Sequence, residues 1–181
     1  LLGDLAHGPK GICVATSHAN GIFLWRAEDD IRTNLAEGPD FSSPVVHVDN
    51  HGTVHAAFCG PQGVMYANDQ DEREPRLVLP AGINPAIVGN AKQLIVAALV
   101  PSGENVSEGT VQAVRQEDGA WQKPETLSPE GFTSCSLSID TWNVITLHTS
   151  NPDRHWIYKI RWLDHQWSSM QECRGTWSSA A

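Results

Sequence analysis

Basic residues are scarce in this chain: twelve lysines and arginines among 181 residues, against twenty-one aspartates and glutamates, for a formal net charge of −9. Such a balance repels a phosphate backbone and supplies no basic stripe, so nucleic acid is not expected as a partner and a neutral or cationic ligand is. Long apolar runs are missing too. The longest, Leu94 to Val100, has the length of a strand and falls far short of the roughly 20 residues that cross a bilayer as a helix, so no membrane partner is expected. The four cysteines, Cys13, Cys59, Cys135 and Cys173, form no CxxC pair. Three disulfide pairings are open to them, and interior free thiols are the plainer reading. Helical periodicity is lacking throughout, because glycine or proline interrupts every window that would hold an apolar stripe. No Gly-x-Ser-x-Gly elbow, phosphate-binding glycine loop or HExxH occurs, and no cofactor is expected. The compartment is left open with secretion favoured, in which case Asn105-Val106-Ser107 is a glycosylation sequon.

What the chain does contain is a repeat. Ser43 to Phe58, SPVVHVDNHGTVHAAF, reads as a hairpin: an apolar run opened by proline, a polar Asp-Asn-His-Gly corner, then a second alternating run. Equivalents of the second strand are Gly11 to Thr16, Thr53 to Phe58, Leu94 to Leu99 and Val144 to His148. Third strands follow at Gly21 to Arg26, Val64 to Asn68, Thr110 to Arg115 and Trp156 to Arg161. Each ends in a corner with an Arg or Asn three residues before an Asp: Arg26 and Asp29, Asn68 and Asp71, Arg115 and Asp118, Arg161 and Asp164. Short fourth strands are expected around Trp121 and Trp167, and first strands at Leu1 to His7, Val45 to Asp49, Ala86 to Gly89 and Ser136 to Asp140. A hairpin this short cannot bury its apolar face alone, so the units must stack.

Four strands per unit of 40-odd residues predict an all-β chain, a β-propeller of four four-stranded blades with approximate limits 1–38, 39–82, 83–131 and 132–181. A self-closed four-bladed ring is the expected arrangement. The alternative is a larger ring completed by another copy, a homo-oligomer, and the tail Glu172 to Ala181 could complete the opening blade.

The hairpin Pro44-Val-Val-His-Val-Asp-Asn-His-Gly-Thr-Val-His-Ala-Ala-Phe58 resembles the repeat of sialidase-like (BNR-type) propellers, and the blade length is similar to that of fungal fucose-binding propeller lectins. The resemblance implies the fold and a glycan-related role. The Ser-x-Asp-x-Gly-x-x-Trp box of sialidases is not matched, since Ser138-Ile-Asp140-Thr-Trp-Asn lacks the glycine, and no second strand carries the lectins' arginine. No site residue is carried over.

Candidate ligand contacts therefore come from the loops that join second to third strands, where function usually sits on a rigid frame. Asn151, Asp153, Arg154, His155 and Trp156 bring a ring together with polar side chains, and Glu104 lies in the neighbouring long loop. Sugar faces stack on such a ring while hydroxyls bond to Asp, Asn and Arg. The plainer alternative is a solvated loop with a packed Trp. Asp4, Glu37, Glu104, Glu108, Glu130 and Asp153 are the acids within reach of that end, without a spacing that pairs them for glycoside hydrolysis. His47 should face His55 across the hairpin with Asp49 on the same side, a conceivable metal site in a chain otherwise expected to hold none. The corner Asp residues are expected to cap their own turns, with the Arg bridging to them or to the next blade. The leading expectation is a lectin-like module recognising glycans. The alternatives are an enzyme at the channel mouth (glycan hydrolase or lyase, small-molecule cyclase or isomerase) and a protein-interaction platform.

Overall fold

The computed structural model describes residues 3–71, 74–90, 93–103, 105–152, 156–163 and 165–173, with backbone alone for 105, 106 and 156. Among the described residues there are strands and no helix, and hence no helix long and apolar enough to cross a membrane. The first sheet comprises β1 (Gly3–Gly8), β2 (Gly11–His18), β3 (Gly21–Arg26) and β4 (Ile31–Glu37), and the second β5 (Ser42–Val48), β6 (Val54–Gly60), β7 (Gly63–Asn68) and β8 (Arg76–Pro80). The third contains β9 (Ile83–Gly89), β10 (Gln93–Ser102), β11 (Asn105–Glu117), β12 (Ala120–Trp121) and β13 (Glu125–Thr126). The fourth contains β14 (Ser134–Ile139), β15 (Ile145–Asn151), β16 (Trp156–Leu163), β17 (Gln166–Trp167) and β18 (Gln171–Cys173). Every pairing is antiparallel, and the four principal strands of each sheet pair in chain order. In the third and fourth sheets the outermost strand is split in two, so both β12 and β13 pair with β11, and both β17 and β18 with β16.

The sheets are β-propeller blades. First strands lie side by side, β1 on β5, β5 on β9 and β9 on β14, which lines them up along one inner edge of the stack. Alternation along each strand gives two faces, and the core is the set of side chains caught between successive sheets. Cys13, Ala15, Ile22 and Leu24 of the first sheet meet Val46, Ala56 and Phe58 of the second. Ala57, Val64 and Tyr66 on the second sheet's other face meet Ile87, Val96 and Val114. Ile95, Leu99 and Val111 then meet Leu147, Ile160 and Trp162. Small residues recur on the covering side, which lets sheets approach closely without voids.

The corners behave as local chemistry demands. Asp49 Oδ1 accepts from the backbone amides of His51 and Thr53, and Asp140 Oδ1 accepts from those of Trp142 and Val144. The arginines ahead of the outer corners reach across to the next blade: Arg26 pairs with Asp69, and Arg115 sits 4.6 Å from the ring centre of Trp162. Arg115 also pairs with Glu117 in its own corner, at 2.6 Å. Asn68 instead closes its own corner, its Oδ1 accepting from the amides of Gln70 and Asp71.

Among the described residues no strand of the first sheet packs on the fourth to the extent that successive sheets do, so closure of the four blades into a ring is not seen there. Glu172 and Cys173 do not complete the opening blade; in β18 they pair with Tyr158 and Ile157, prolonging the outer edge of the fourth sheet. Residues 174–181 lie outside the described residues. All four cysteines are free thiols, Cys13 buried and the others half-buried.

Candidate functional site

The most organised polar cluster lies between the second and third sheets, at the end where first strands turn into second strands and third into fourth. Strict register places His47 of β5 opposite His55 of β6, with Asn68 of β7 beyond it. Rings of one face stack across the sheet: His47 and His55 have centroids 6.3 Å apart, and His55 and Tyr66 6.1 Å. Tyr66 then meets Trp121 of the third sheet edge-on at 5.0 Å.

Hydrogen bonds fix a direction through this ladder. Asp49 Oδ2 lies 3.4 Å from His55 Nε2, and Tyr66 Oη 2.8 Å from His55 Nδ1. A carboxylate only accepts, so His55 Nε2–H donates to Asp49, which leaves Nδ1 to accept from the Tyr66 hydroxyl. The phenol oxygen in turn accepts from Asn68 Nδ2 at 3.3 Å. The chain Asn68 to Tyr66 to His55 to Asp49 is thus satisfied with a neutral imidazole.

Electrostatics agree. Burial lowers the pKa of His55, opposed by the hydrogen bond and charge of Asp49. His47 is brought down to about 4, by burial first and then by His55, with Asp49 opposing. Burial pushes the Asp49 carboxyl up, but the amides of Thr53 and His51 and the bond from His55 outweigh it, and the net shift is downward. Burial raises the Tyr66 phenol. Near neutral pH the cluster therefore holds two uncharged imidazoles beside an ionised carboxylate.

This wall opens on a cleft of about 280 Å³, whose other side is formed by Asn90, Gln93, Gln116 and Asp118. The arrangement offers amide donors and acceptors, two carboxylates and an accessible neutral His47, on elements locked by sheet pairing. It does not offer a metal cage. Both ring nitrogens of His55 are already engaged, and no group of three or more His, Cys, Asp or Glu side chains converges as ligands would among the described residues. Within the candidate trio Asp49 and His55 are hydrogen-bonded to each other, and His47 stacks on His55.

Of the loop residues singled out in the sequence, Glu104, Asp153, Arg154 and His155 lie outside the described residues. Asn151 and Trp156 are register partners at the end of the β15–β16 hairpin. Beside them is a hydroxyl cluster, with Ser134 Oγ 2.6 Å and Thr133 Oγ1 3.4 Å from Ser150 Oγ. Asp4 has a structural task, its Oδ2 accepting from the amide of Val46 in the next blade at 2.9 Å. Glu37 accepts from Asn34 at 3.1 Å. The contributions of Gln93, Gln116 and Asp118 to the cleft escape sequence reasoning, because they reach it from the blade next to the one that carries His47 and His55; only the paired His47 and His55 were visible as a hairpin register.

No protein-family model and no curated protein matches the chain by sequence. Solved structures match it by fold. A protein of unknown function from Dyadobacter fermentans DSM 18053 superposes with a TM-score of 0.64 at 12% identity, over 94% of this chain and 68% of that one. Hadza microbial sialidase Hz136 gives 0.62 at 14% identity, over 97% of this chain and 47% of the sialidase, so the chain spans about half that protein's length. The α-L-arabinofuranosidase from Lactobacillus brevis gives 0.60 at 11% identity, over 94% and 71%. At these identities the likeness establishes a shared fold, the β-propeller.

Proposed function

We propose that this chain is a carbohydrate-binding, lectin-like propeller module that recognises neutral or amino sugars. The observation that carries this reading is the cleft between the second and third sheets, where His47, Asp49, Gln93, Gln116 and Asp118 face one small volume. Sugar hydroxyls both donate and accept. Neutral imidazole and amide groups match that, while carboxylates take hydroxyl pairs and disfavour acidic sugars. Two of the fold neighbours are, by name, a sialidase and an arabinofuranosidase, which supports a glycan as the ligand class. The loop end carrying Glu104, Asn151, Asp153, Arg154, His155 and Trp156 enters the proposal as a second contact surface, with the hydroxyl cluster at Ser134 and Ser150 beside it.

Binding suits the cleft better than hydrolysis does. Most glycoside hydrolases keep one carboxylic acid protonated near neutral pH by raising its pKa. The Asp49 carboxyl is instead lowered by two backbone amides and His55. A glycan array spanning neutral, amino and acidic sugars, followed by titration calorimetry, tests the reading. Binding of a neutral or amino sugar should weaken by about 10-fold or more in Gln116→Ala or Asp118→Asn, the loss expected for one or two removed hydrogen bonds. Loss instead in Asn151→Ala would assign the ligand to the loop end. Silence across all three sugar classes would reject a glycan ligand altogether.

A further inference from the structure

We propose that the outer rim between the first and second sheets docks an extended basic peptide, which inserts a tryptophan between the two blades. In the third and fourth sheets the link from the outer corner to the last strand carries a tryptophan, Trp121 in β12 and Trp167 in β17. Register places both at the same step, Trp121 opposite Gln116 and Trp167 opposite Trp162, the residues that follow Arg115 and Arg161. Each closes the gap towards the preceding sheet. Trp121 packs with the cluster that joins the second and third sheets, edge-on to Tyr66 at 5.0 Å, and Trp167 packs with the cluster that joins the third and fourth. The second sheet has no such residue. Arg76 pairs with Tyr66 as Glu125 pairs with Ala113 and Gln171 with Lys159, so its link, from Asn68 to Arg76, is the shortest of the three and holds no tryptophan.

The gap beside this short link is open. Along β4 of the first sheet run two hollows of about 530 and 240 Å³ that share Asn34 and Leu35. Leu35, Ala36, Phe41 and Met65 give the larger one an apolar floor, and Glu37 and the exposed Glu74 give it carboxylates. One Glu37 oxygen accepts from Asn34, which leaves the other for a ligand. Asp69 and Asp71 line the smaller hollow and are already paired with Arg26 and Arg76. No lysine or arginine is among the described lining residues of either. Both walls are consecutive blades of one chain, so the opening follows from the short link. Charge complementarity selects the occupant. A net charge of −9 draws cations, Glu37 and Glu74 hold them locally, and the apolar floor suits an indole such as those that fill the two neighbouring gaps. Among the described residues β4 is the last strand of its sheet, so its outer edge offers backbone groups to an extended segment lying along the groove.

Fluorescence anisotropy with a labelled synthetic pentapeptide, one tryptophan flanked by two arginines on each side, reads the outcome. A Kd on the order of 100 μM or below is expected. Replacing the peptide's tryptophan by alanine, or its arginines by glutamates, should weaken binding by about 10-fold or more. Glu74→Gln should weaken it about 3-fold, as loss of a rim charge does, while Glu130→Gln, which removes an exposed carboxylate elsewhere, should leave it alone. Glu74→Trp supplies an indole from the chain itself, so it should raise the melting temperature and abolish peptide binding. Equal binding of the alanine peptide would reduce the effect to attraction by net charge and overturn the proposal. Failure of the tryptophan peptide to bind would overturn it, as would binding that Glu74→Gln and Glu74→Trp both leave unchanged. Displacement of the peptide by a neutral sugar would make the groove a sugar site and overturn it as well.

Discussion

Arg26 at the end of β3 and Asp69 after β7 form an ion pair across the boundary between the first and second blades, with side chains only 12% and 2% exposed. Asp69 is held from the other side by the amide of Val54, which donates to its Oδ1 at 3.0 Å. An isolated charge in that position would be costly, whereas the pair as a unit is not. Asp69→Ala, which leaves the guanidinium buried and unpaired, should destabilise by about 3 kcal/mol. The double variant Arg26→Met, Asp69→Leu should recover most of that loss. Urea unfolding of the three proteins checks it, and equal stability of Asp69→Ala and wild type would remove the pair from any account of how blades are joined.

Acid should weaken the fold through the histidine wall. The folded-state pKa of His47 is about 4 against 6.5 for the free side chain, so between those values the unfolded chain binds the extra proton. Stability is full above about pH 6.5 and falls as pH drops towards 4, by at most about 3 kcal/mol for this residue. His55 shifts in the same direction and adds to the slope. The lowered Asp49 acts in a separate, more acid window, losing its contribution as pH falls through its depressed value. A stability profile that stays flat from pH 7 to 4.5, or one unchanged in His47→Gln, would contradict this assignment.

Corner caps should be measurable one at a time. Asp140 accepts from two backbone amides, those of Trp142 and Val144, each at 2.9 Å. Asp140→Ala should cost about 1 kcal/mol, as other side-chain caps do, while Asp140→Asn keeps the accepting oxygen and most of the stability. Trp142, on the same turn, is 82% exposed, so Trp142→Ala should leave the melting temperature nearly unchanged. Thermal melts of the three variants separate the turn's backbone chemistry from its side-chain display.

Gly21 and Gly63 open the third strands of the first two blades at φ of 137° and 135°. A β-carbon at these positions would stand 1.9 Å from the carbonyl oxygen of Ala36 and 2.2 Å from that of Leu79, respectively. Both obstacles are backbone of the outermost strand, which cannot step aside. Gly21→Ala and Gly63→Ala should each destabilise by more than about 2 kcal/mol, combining a disfavoured dihedral with a steric clash. Equilibrium unfolding that shows either alanine to be neutral would disprove the close approach.

The sequence alone determined the blades. Alternation, the turn glycines and the Asp corners are local signals with ranges of two to five residues, and they placed second and third strands within a few residues of β2, β6, β10 and β15 and of β3, β7, β11 and β16. The pairing of His47 with His55 follows from the same local arithmetic, since a hairpin's register is set by its turn. Tertiary structure decided what lies between blades. That Arg26 reaches Asp69, that Tyr66 meets Trp121, and that Gln93, Gln116 and Asp118 face His47 depends on how one sheet is set against the next. No spacing along the chain encodes that relation. The same holds for burial: the cross-strand rows Leu5, Val14, Trp25 and Leu137, Leu147, Ile160 are alike in apolar character, and stacking alone sets the second against the preceding sheet. Burial is a property of neighbours in space, and a repeat repeats its side chains without repeating its neighbours.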